Sequence, residues 1–210
     1  MSEKSITELG NPAKPTGEAG QEMLMRMADS HKEVTGWGLS FAPLEDAKKI
    51  LDVGCGSGMA LKNTMDKYEK LSAFGIDYSE VSVALSEKNN DEYIKEGRAE
   101  IIRASVDDLP FKDGEFDVVF TVESFYFWPD HNAGLCEIKR VLKDGGRFFL
   151  IADIYDTDEL DDHQRENIKK YNLYNPTLSK FEELLKEAGY KDVKIHTKEG
   201  TTWVCGEGKK

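Results

Sequence analysis

From about residue 49 onward, short apolar runs alternate with stretches in which apolar residues recur every three or four positions. Such runs are typical of strands that are covered on both faces, because these strands are apolar throughout instead of alternating with polar residues. Five runs are predicted as strands, at 50–53, 73–76, 101–102, 116–122 and 147–152.

The stretches between the runs have the periodicity of amphipathic helices, which place an apolar stripe against a core. Helix ends are indicated by capping side chains at the start and by glycine beyond the end. Three helices are predicted here: one with Leu61, Met65 and Tyr68 on one face, one capped by Ser79 that reaches Ile94, and one with Leu135, Ile138 and Leu142 that ends at Lys143.

This alternation predicts an α/β domain with a mainly parallel sheet, because each right-handed crossover packs its helix back onto the strands. Beyond the alternating region, Thr177 is predicted to cap a helix that runs to Ala188, and a closing β-hairpin turns near Gly200. Before it, glycine and proline interrupt 1–20, which we interpret as a flexible arm or an ordered lid, and 21–39 predicts two short helices. We therefore divide the chain into an N-terminal arm and helical cap, 1–45, and an α/β domain, 46–210.

Charge and hydropathy exclude several functions. The 210 residues include 40 acidic and 28 basic side chains, a formal charge of −12, and a field of that sign repels a phosphate backbone. Nucleic acid is therefore not expected as a partner. No apolar run approaches the roughly 18 residues of a membrane span, and the first 20 residues lack the features of a secretory signal. We expect a cytoplasmic protein that does not bind membranes.

The three cysteines do not indicate a metal site. Cys55, Cys136 and Cys205 are far apart in the sequence and form no Cys-x-x-Cys pair. Zinc sites and disulfide frameworks both need closely patterned cysteines. We expect reduced thiols and no bound metal.

The strongest chemical signal is the segment Ile50-Leu51-Asp52-Val53-Gly54-Cys55-Gly56-Ser57-Gly58. A buried strand runs directly into a glycine loop that opens a helix, and glycine lets the backbone approach a ligand where a Cβ would collide. Asp77 ends the second strand, where a doubly wound sheet places a carboxylate beside that loop, within reach of ribose hydroxyls. A dinucleotide fingerprint would require glycine at position 59, which is Met59, so a nicotinamide cofactor is disfavoured.

With these motifs, the sequence resembles the class I S-adenosylmethionine-dependent methyltransferases, particularly the small-molecule branch. The family pattern of an acid followed by three alternating glycines fits Asp52, Gly54, Gly56 and Gly58, and 75–79, 109–119 and 137–148 match later family segments. The resemblance implies a Rossmann-like three-layer sandwich. Its sheet would have seven strands in the order 3-2-1-4-5-7-6, mostly parallel with an antiparallel last strand.

The resemblance also implies which residues bind the cofactor, S-adenosyl-L-methionine. The glycine loop would approach its methionine part, Asp77 would hold the ribose, and Tyr78 and Val106 would flank the adenine. Many relatives have an acid where this chain has Ser105, so that contact to the adenine is in question. The full expected set is Asp52, Gly54, Cys55, Gly56, Gly58, Asp77, Tyr78, Ser105, Val106, Val122 and Glu123.

The methyl acceptor is less well defined, because methyl transfer depends mainly on alignment and requires no particular catalytic residue. Aromatic residues follow strand four at 125–128, where substrates bind in open α/β sheets, although alternate members could simply pack in the core. His31 is a candidate base or else a surface histidine. We name His31, Tyr126, Trp128 and Tyr155 as possible substrate-lining residues and expect a small-molecule methyl acceptor.

Two other readings stay open at this stage. One is a methyltransferase that acts on protein or RNA, which the acidic charge and the absence of a basic appendage disfavour. The other is a protein that binds S-adenosylmethionine without transferring its methyl group, as a regulatory partner. The acceptor atom, any catalytic base and the oligomeric state are not predicted.

Overall fold

A computed structural model describes residues 11–210. The sheet has the predicted order, β3-β2-β1-β4-β5-β7-β6. The first five strands in this order, β3, β2, β1, β4 and β5, pair in parallel with their neighbours, and β7 is antiparallel to both β5 and β6. The seven strands are β1 (Lys49–Val53), β2 (Ser72–Asp77), β3 (Ala99–Arg103), β4 (Phe116–Val122), β5 (Leu142–Ala152), β6 (Lys191–Thr197) and β7 (Val204–Lys209).

Helices cover both faces of this sheet, as a three-layer sandwich requires. On one face, α6 and α8 bury Leu135 and Phe181 in one core, and on the other, α2 and α3 bury Val34 and Leu61 in a second core. None of the helices in residues 11–210 is long and apolar enough to cross a bilayer. The helices are α1 (Gly17–Ser30), α2 (Lys32–Leu39), α3 (Met59–Met65), α4 (Glu80–Asn89), α5 (Asp91–Lys95), α6 (His131–Val141), α7 (Asp162–Tyr171) and α8 (Leu178–Glu187).

The predicted caps are confirmed, but the long helix after Ser79 is divided. The Ser79 hydroxyl accepts a hydrogen bond from the Ser82 N–H at the start of α4. At Asn90 the backbone leaves the helical region, and the Asn90 amide donates to the carbonyls of Gly58 and Ser86. Because that side chain ties α4 to the start of α3, the helix is interrupted there and α5 follows as a separate turn.

Two other predicted boundaries were wrong. Leu142 was predicted on a helical face, but its backbone is extended and it begins β5, paired with Phe116. The strand therefore starts before the bulge that contains Gly145 and Gly146, the glycines that indicate a helix end in the sequence. The first helix begins at Gly17, inside the region assigned to an arm, since Gly20 packs against Pro15 on the helix surface. Residues 1–10 of that arm lie outside the described part of the chain.

The helical cap is held on the sheet at Gly38. A Cβ built at this position would lie 2.5 Å from the Ile151 side chain on β5. Real Cβ contacts are never that short, so the absence of a side chain lets α2 approach the strand. This close approach places the end of α1 over the carboxyl ends of β4 and β5.

Candidate active site

The glycine loop leaves β1 at the point where the strand order reverses, between β1 and β4. In open α/β sheets this switch point forms a crevice that binds ligands. The N–H groups of Gly54 and Cys55 both donate to the Ile76 carbonyl, at 2.8 and 2.9 Å, and so attach the loop to β2. The loop is thus held as a fixed rim of the crevice.

The three positions in the loop require glycine for different structural reasons. All have positive φ, at 77°, 54° and 76° for Gly54, Gly56 and Gly58. A Cβ on Gly54 would collide with Ser124 Oγ at 2.3 Å, and one on Gly58 with Ser86 Oγ at 2.2 Å. A Cβ on Gly56 would meet only Leu24, at 3.7 Å. Gly56 is therefore the glycine that leaves backbone open to the crevice, while the other two permit packing.

Asp77 joins the loop to the second strand. One carboxylate oxygen accepts the Gly56 N–H at 3.0 Å, and the other accepts the Ser79 N–H at 2.9 Å. Burial raises the pKa of Asp77, and these backbone donors oppose the shift. The Ser82 side chain also donates to this carboxylate, and since a carboxylate has about four lone-pair sites, capacity remains for a hydroxyl of a ligand.

Asp52 is buried at the end of β1 with an unsatisfied oxygen. Within residues 11–210 its Oδ1 has no hydrogen-bond partner. Burial, and secondarily the charge of Asp77, raise its pKa well above the ordinary range. Leaving a buried carboxylate oxygen without a donor is unfavourable, and a cationic group of a ligand in the crevice would remove that penalty.

The other rim of the crevice is formed after β4. Ser124 Oγ donates to the Val53 carbonyl at 3.0 Å and accepts from Trp128 Nε1 at 3.1 Å, which holds the aromatic segment against the glycine loop. Glu123 has a positive φ of 54°, unusual for a residue with a side chain. Its N–H is bonded to the Ile151 carbonyl at 3.0 Å, so neighbouring β5 stabilises this conformation.

Beside Glu123 lies a group of three side chains that we call the acid–imidazole cluster: His31, Glu123 and Asp153. His31 Nε2 is 3.8 Å from Glu123 Oε2 and 3.9 Å from Asp153 Oδ2. Burial lowers the pKa of His31 to about 4, so its ring is neutral at pH 7. Burial raises the pKa of Asp153 to about 6, and burial together with the charge of Asp153 raises that of Glu123 well above its usual range.

The glycine loop, Asp52, Asp77, Ser124 and two members of the cluster, His31 and Glu123, line one cavity of about 590 Å³, while Asp153 lies behind them. The volume is ordinary for a site that holds a small molecule. Most of the expected residues lie on its wall: Asp52, Gly54, Cys55, Gly56, Asp77, Tyr78, Ser105, Val106, Val122, Glu123, His31 and Trp128.

Three expected residues are not on the cavity wall. Gly58 lies behind it, against α4. The Tyr126 hydroxyl donates to Glu123 Oε1 at 3.4 Å and accepts the Ile154 N–H at 3.3 Å, so this residue supports the wall from behind. Tyr155 packs at the edge of the core that contains α6 and α8.

At the proposed adenine end, the Ser105 hydroxyl is already engaged. It donates to the Asp107 carboxylate in the turn after β3, while Tyr78 is half exposed and Val106 is buried. Sequence reasoning also missed part of the cavity wall, because these residues belong to no motif. The missed residues include Pro12, Ala13, Leu24, Met27, Ala28, Met59, Asn63, Ser82 and Ser124.

The residues present fit S-adenosylmethionine. The unpartnered Asp52 oxygen suits its amino group, the open backbone at Gly56 leaves room for its chain, and the free lone pairs of Asp77 suit its ribose. These three features are adjacent, since Gly56 and Asp77 are hydrogen-bonded to each other.

Comparison with known proteins also points to a methyltransferase domain. A family model described as a methyltransferase domain matches residues 51–150. Sterol 4-C-methyltransferase of Caenorhabditis elegans is 31% identical over 129 residues, which is 60% of this chain and 37% of the relative, so this chain spans well under half of that protein.

Solved structures show the same fold. The methyltransferase in complex with the Trm112 methyltransferase activator of Haloferax volcanii has a TM-score of 0.73 at 23% identity, covering 89% of this chain and 92% of that one. Human N-acetylserotonin methyltransferase in complex with S-adenosylmethionine has a TM-score of 0.74 at 17% identity, covering 92% and 56%. The matched methyltransferase domain covers just under half of this chain, and its sheet order and glycine loop with two acids are those of the class I S-adenosylmethionine-dependent methyltransferases, which the chain resembles.

Proposed function

We propose that this chain transfers the methyl group of S-adenosylmethionine to a small-molecule acceptor by in-line displacement. One observation carries the proposal. A single cavity has a cofactor-type wall at the glycine loop and Asp77, and a second wall of titratable groups at His31 and Glu123. A cofactor and an acceptor can therefore meet inside it.

The cofactor-type wall would position the methyl donor. Asp77 would accept hydrogen bonds from the ribose, Asp52 would face the amino group, and Tyr78 and Val106 would flank the adenine. When bound, S-adenosylmethionine supplies an electrophilic methyl on a sulfonium that carries its own leaving group. The protein then contributes alignment, which can lower a barrier by about 7 to 11 kcal/mol without covalent catalysis.

The remaining cavity wall would exclude water. Leu24, Met27 and Ala28 from α1 line it on one side, and Phe127 and Trp128 line it on the other. Excluding water protects the sulfonium from hydrolysis and strengthens the electrostatic interactions within the site.

A small acceptor is favoured by charge and by size. A formal charge of −12 opposes binding to RNA, and a cavity of about 590 Å³ accommodates a cofactor with a small partner. The name of the nematode relative describes methyl transfer to a sterol, which is a small molecule.

Methyl release tests the proposal. Calorimetry with S-adenosylhomocysteine and with NAD should detect binding of the first alone. S-adenosylmethionine with a radiolabelled methyl group, incubated with fractionated small-molecule extracts, should then give a labelled product and S-adenosylhomocysteine. Binding without turnover in any fraction would instead favour a non-catalytic regulatory protein.

A further inference from the structure

The acid–imidazole cluster presents three hydrogen-bond acceptors toward one point. His31 Nε2, Glu123 Oε2 and Asp153 Oδ2 all lie within 4.8 Å of one another. The neutral imidazole accepts through Nε2 when its ring proton is on Nδ1, and each carboxyl accepts when it is ionised. Because the pKa of Glu123 is raised well above its usual range, a bound cation would displace the proton of Glu123. In residues 11–210, His31 is also the only basic side chain within 4.0 Å of either carboxylate.

The chain fixes the orientation of these acceptors. Glu123 Oε1 accepts the Asp153 N–H and the Tyr126 hydroxyl, which leaves Oε2 directed toward His31. Behind it, the Tyr126 hydroxyl is itself held by the Ile154 N–H. The cluster is therefore built by β4, β5 and the α1–α2 junction together.

The spacing of the three hydrogen-bond acceptors can be compared with what two kinds of cation require. Ligand atoms about 2.1 Å from a zinc or magnesium ion are about 3.0 to 3.4 Å apart. Acceptors about 2.8 Å from a tetrahedral ammonium nitrogen are about 4.6 Å apart. The observed separations of 3.8 and 3.9 Å lie between these values, wider than a zinc or magnesium ion needs and shorter than an ideal ammonium site.

We propose that the acid–imidazole cluster is the subsite where this enzyme holds its methyl acceptor, and that this methyl acceptor is a protonated primary or secondary amine. An alcohol or phenol has one O–H donor and no charge, so it would leave two of the three hydrogen-bond acceptors of the cluster unpaired. This inference rests on the proposed methyl transfer and names the class of acceptor.

The chemistry balances without another reactant. A carboxylate of the cluster takes one proton from the ammonium, which frees the nitrogen lone pair. That lone pair forms the N–C bond to the methyl carbon as the C–S bond breaks, and the bonding pair goes to sulfur. The products are a methylated ammonium and a neutral thioether. The Asp153 side chain is 32% exposed, so the proton can pass from it to solvent.

The minimal probe is methylammonium, since it contains the group that all such acceptors share, with methanol as its neutral counterpart. The full chain is first saturated with S-adenosylhomocysteine, and binding of each probe is followed by saturation-transfer NMR. We expect saturable binding of methylammonium at least tenfold tighter than that of methanol. Asp153→Asn should weaken it about tenfold or more, and Asp156→Asn, at an exposed position three residues on, should not change it.

Three results would overturn the proposal. Equal binding of methylammonium and methanol, or binding unaffected by Asp153→Asn, would remove the ammonium subsite. Micromolar binding of Mn²⁺ or Zn²⁺ that His31→Gln abolishes would make the cluster a metal site. Failure to bind S-adenosylhomocysteine in the first step would instead refute the proposed function, and it is measured separately.

Discussion

Asp77 has a structural and a proposed ligand-binding function in one carboxylate. Its two oxygens hold the backbone of Gly56 and Ser79, while the remaining lone pairs lie at the cavity. Replacement by alanine would leave both N–H groups without their partner and would disturb the loop itself. Asparagine retains one acceptor and the size of the side chain, so it tests the charge with less disturbance.

We predict that Asp77→Asn weakens binding of S-adenosylhomocysteine by about 10- to 100-fold. Hydrogen bonds to a charged group contribute about 1.5 to 3 kcal/mol, and the amide cannot accept on both sides. Calorimetry measures the change, with Asp156→Asn, at an exposed position outside the cavity, as a control. Unchanged affinity in a folded Asp77→Asn protein would contradict the assignment to the ribose.

The second and third glycines of the motif, Gly56 and Gly58, differ in whether they leave backbone open to the cavity or permit packing. Gly56→Ala should abolish or greatly weaken cofactor binding, with a loss of stability of about 1 to 2 kcal/mol from its positive φ. Gly58→Ala adds that strain to collisions with Ser86 and Asn90 and should destabilise the fold more. Urea denaturation and calorimetry on both variants separate these effects. Equal loss of stability in the two would show that the glycines are not distinguished as the structure indicates.

Among single residues, sequence reasoning named Gly56 and Asp77 on the cofactor-type wall and His31 and Glu123 of the acid–imidazole cluster, but it missed Asp153. Gly56 and Asp77 belong to contiguous motifs with a fixed position in the fold. Asp153 belongs to none, and it meets His31 and Glu123 only because β5 lies beside β4 while α2 packs on β5. Such a site depends on tertiary contacts between distant segments, which local pattern does not contain.

Among the elements, α1 is the one most directly placed over the cavity. Leu24, Met27 and Ala28 line it, although the helix is packed on the domain by few buried residues. The sequence predicted a helix here and left open whether the segment is a lid. Helix periodicity identifies the apolar face but not the surface that the face covers.

We predict that S-adenosylhomocysteine slows amide hydrogen exchange in α1. At 100 times its dissociation constant, a ligand stabilises the bound form by about 2.7 kcal/mol, and the segment that covers the ligand shares that protection. Exchange measured by mass spectrometry should fall in Gly17–Ser30 and stay unchanged in α8 (Leu178–Glu187), which does not line the cavity. Equal protection of both helices would indicate global stabilisation without a closed lid.

For the whole molecule, the acid–imidazole cluster makes stability depend on pH. Asp153 has a folded pKa of about 6 against 3.8 for the free side chain, so the folded state binds the proton more tightly. A raised pKa favours folding below about pH 4, and that contribution is lost as the pH rises through 6. The ionised carboxylate therefore opposes folding at neutral pH.

We predict that Asp153→Asn stabilises the fold by about 1 to 2 kcal/mol at pH 7.5, after allowing for its partial exposure. The gain should shrink as the pH falls from 6 toward 4, where the wild-type carboxyl is already neutral. Urea denaturation at pH 7.5, 6 and 4.5 measures it, with Asp156→Asn as the exposed control. A gain that does not change with pH would not come from this titration.

The parallel sheet was predictable from the β-α alternation, and its strand order from the family resemblance. The boundaries at Leu142 and Asn90 could not be predicted. An irregularity in the pairing of β5 sets the first, and the hydrogen bonds of the Asn90 side-chain amide set the second.

The position of β7 has a consequence for how the chain is made. The strand comes last in sequence, yet it lies inside the sheet between β5 and β6. Residues 204–209 must therefore leave the ribosome before those two strands can be joined through β7, and until then β5 has one open edge. Deleting these residues would cut the sheet internally, so the deletion is expected to impair folding more than its small size suggests.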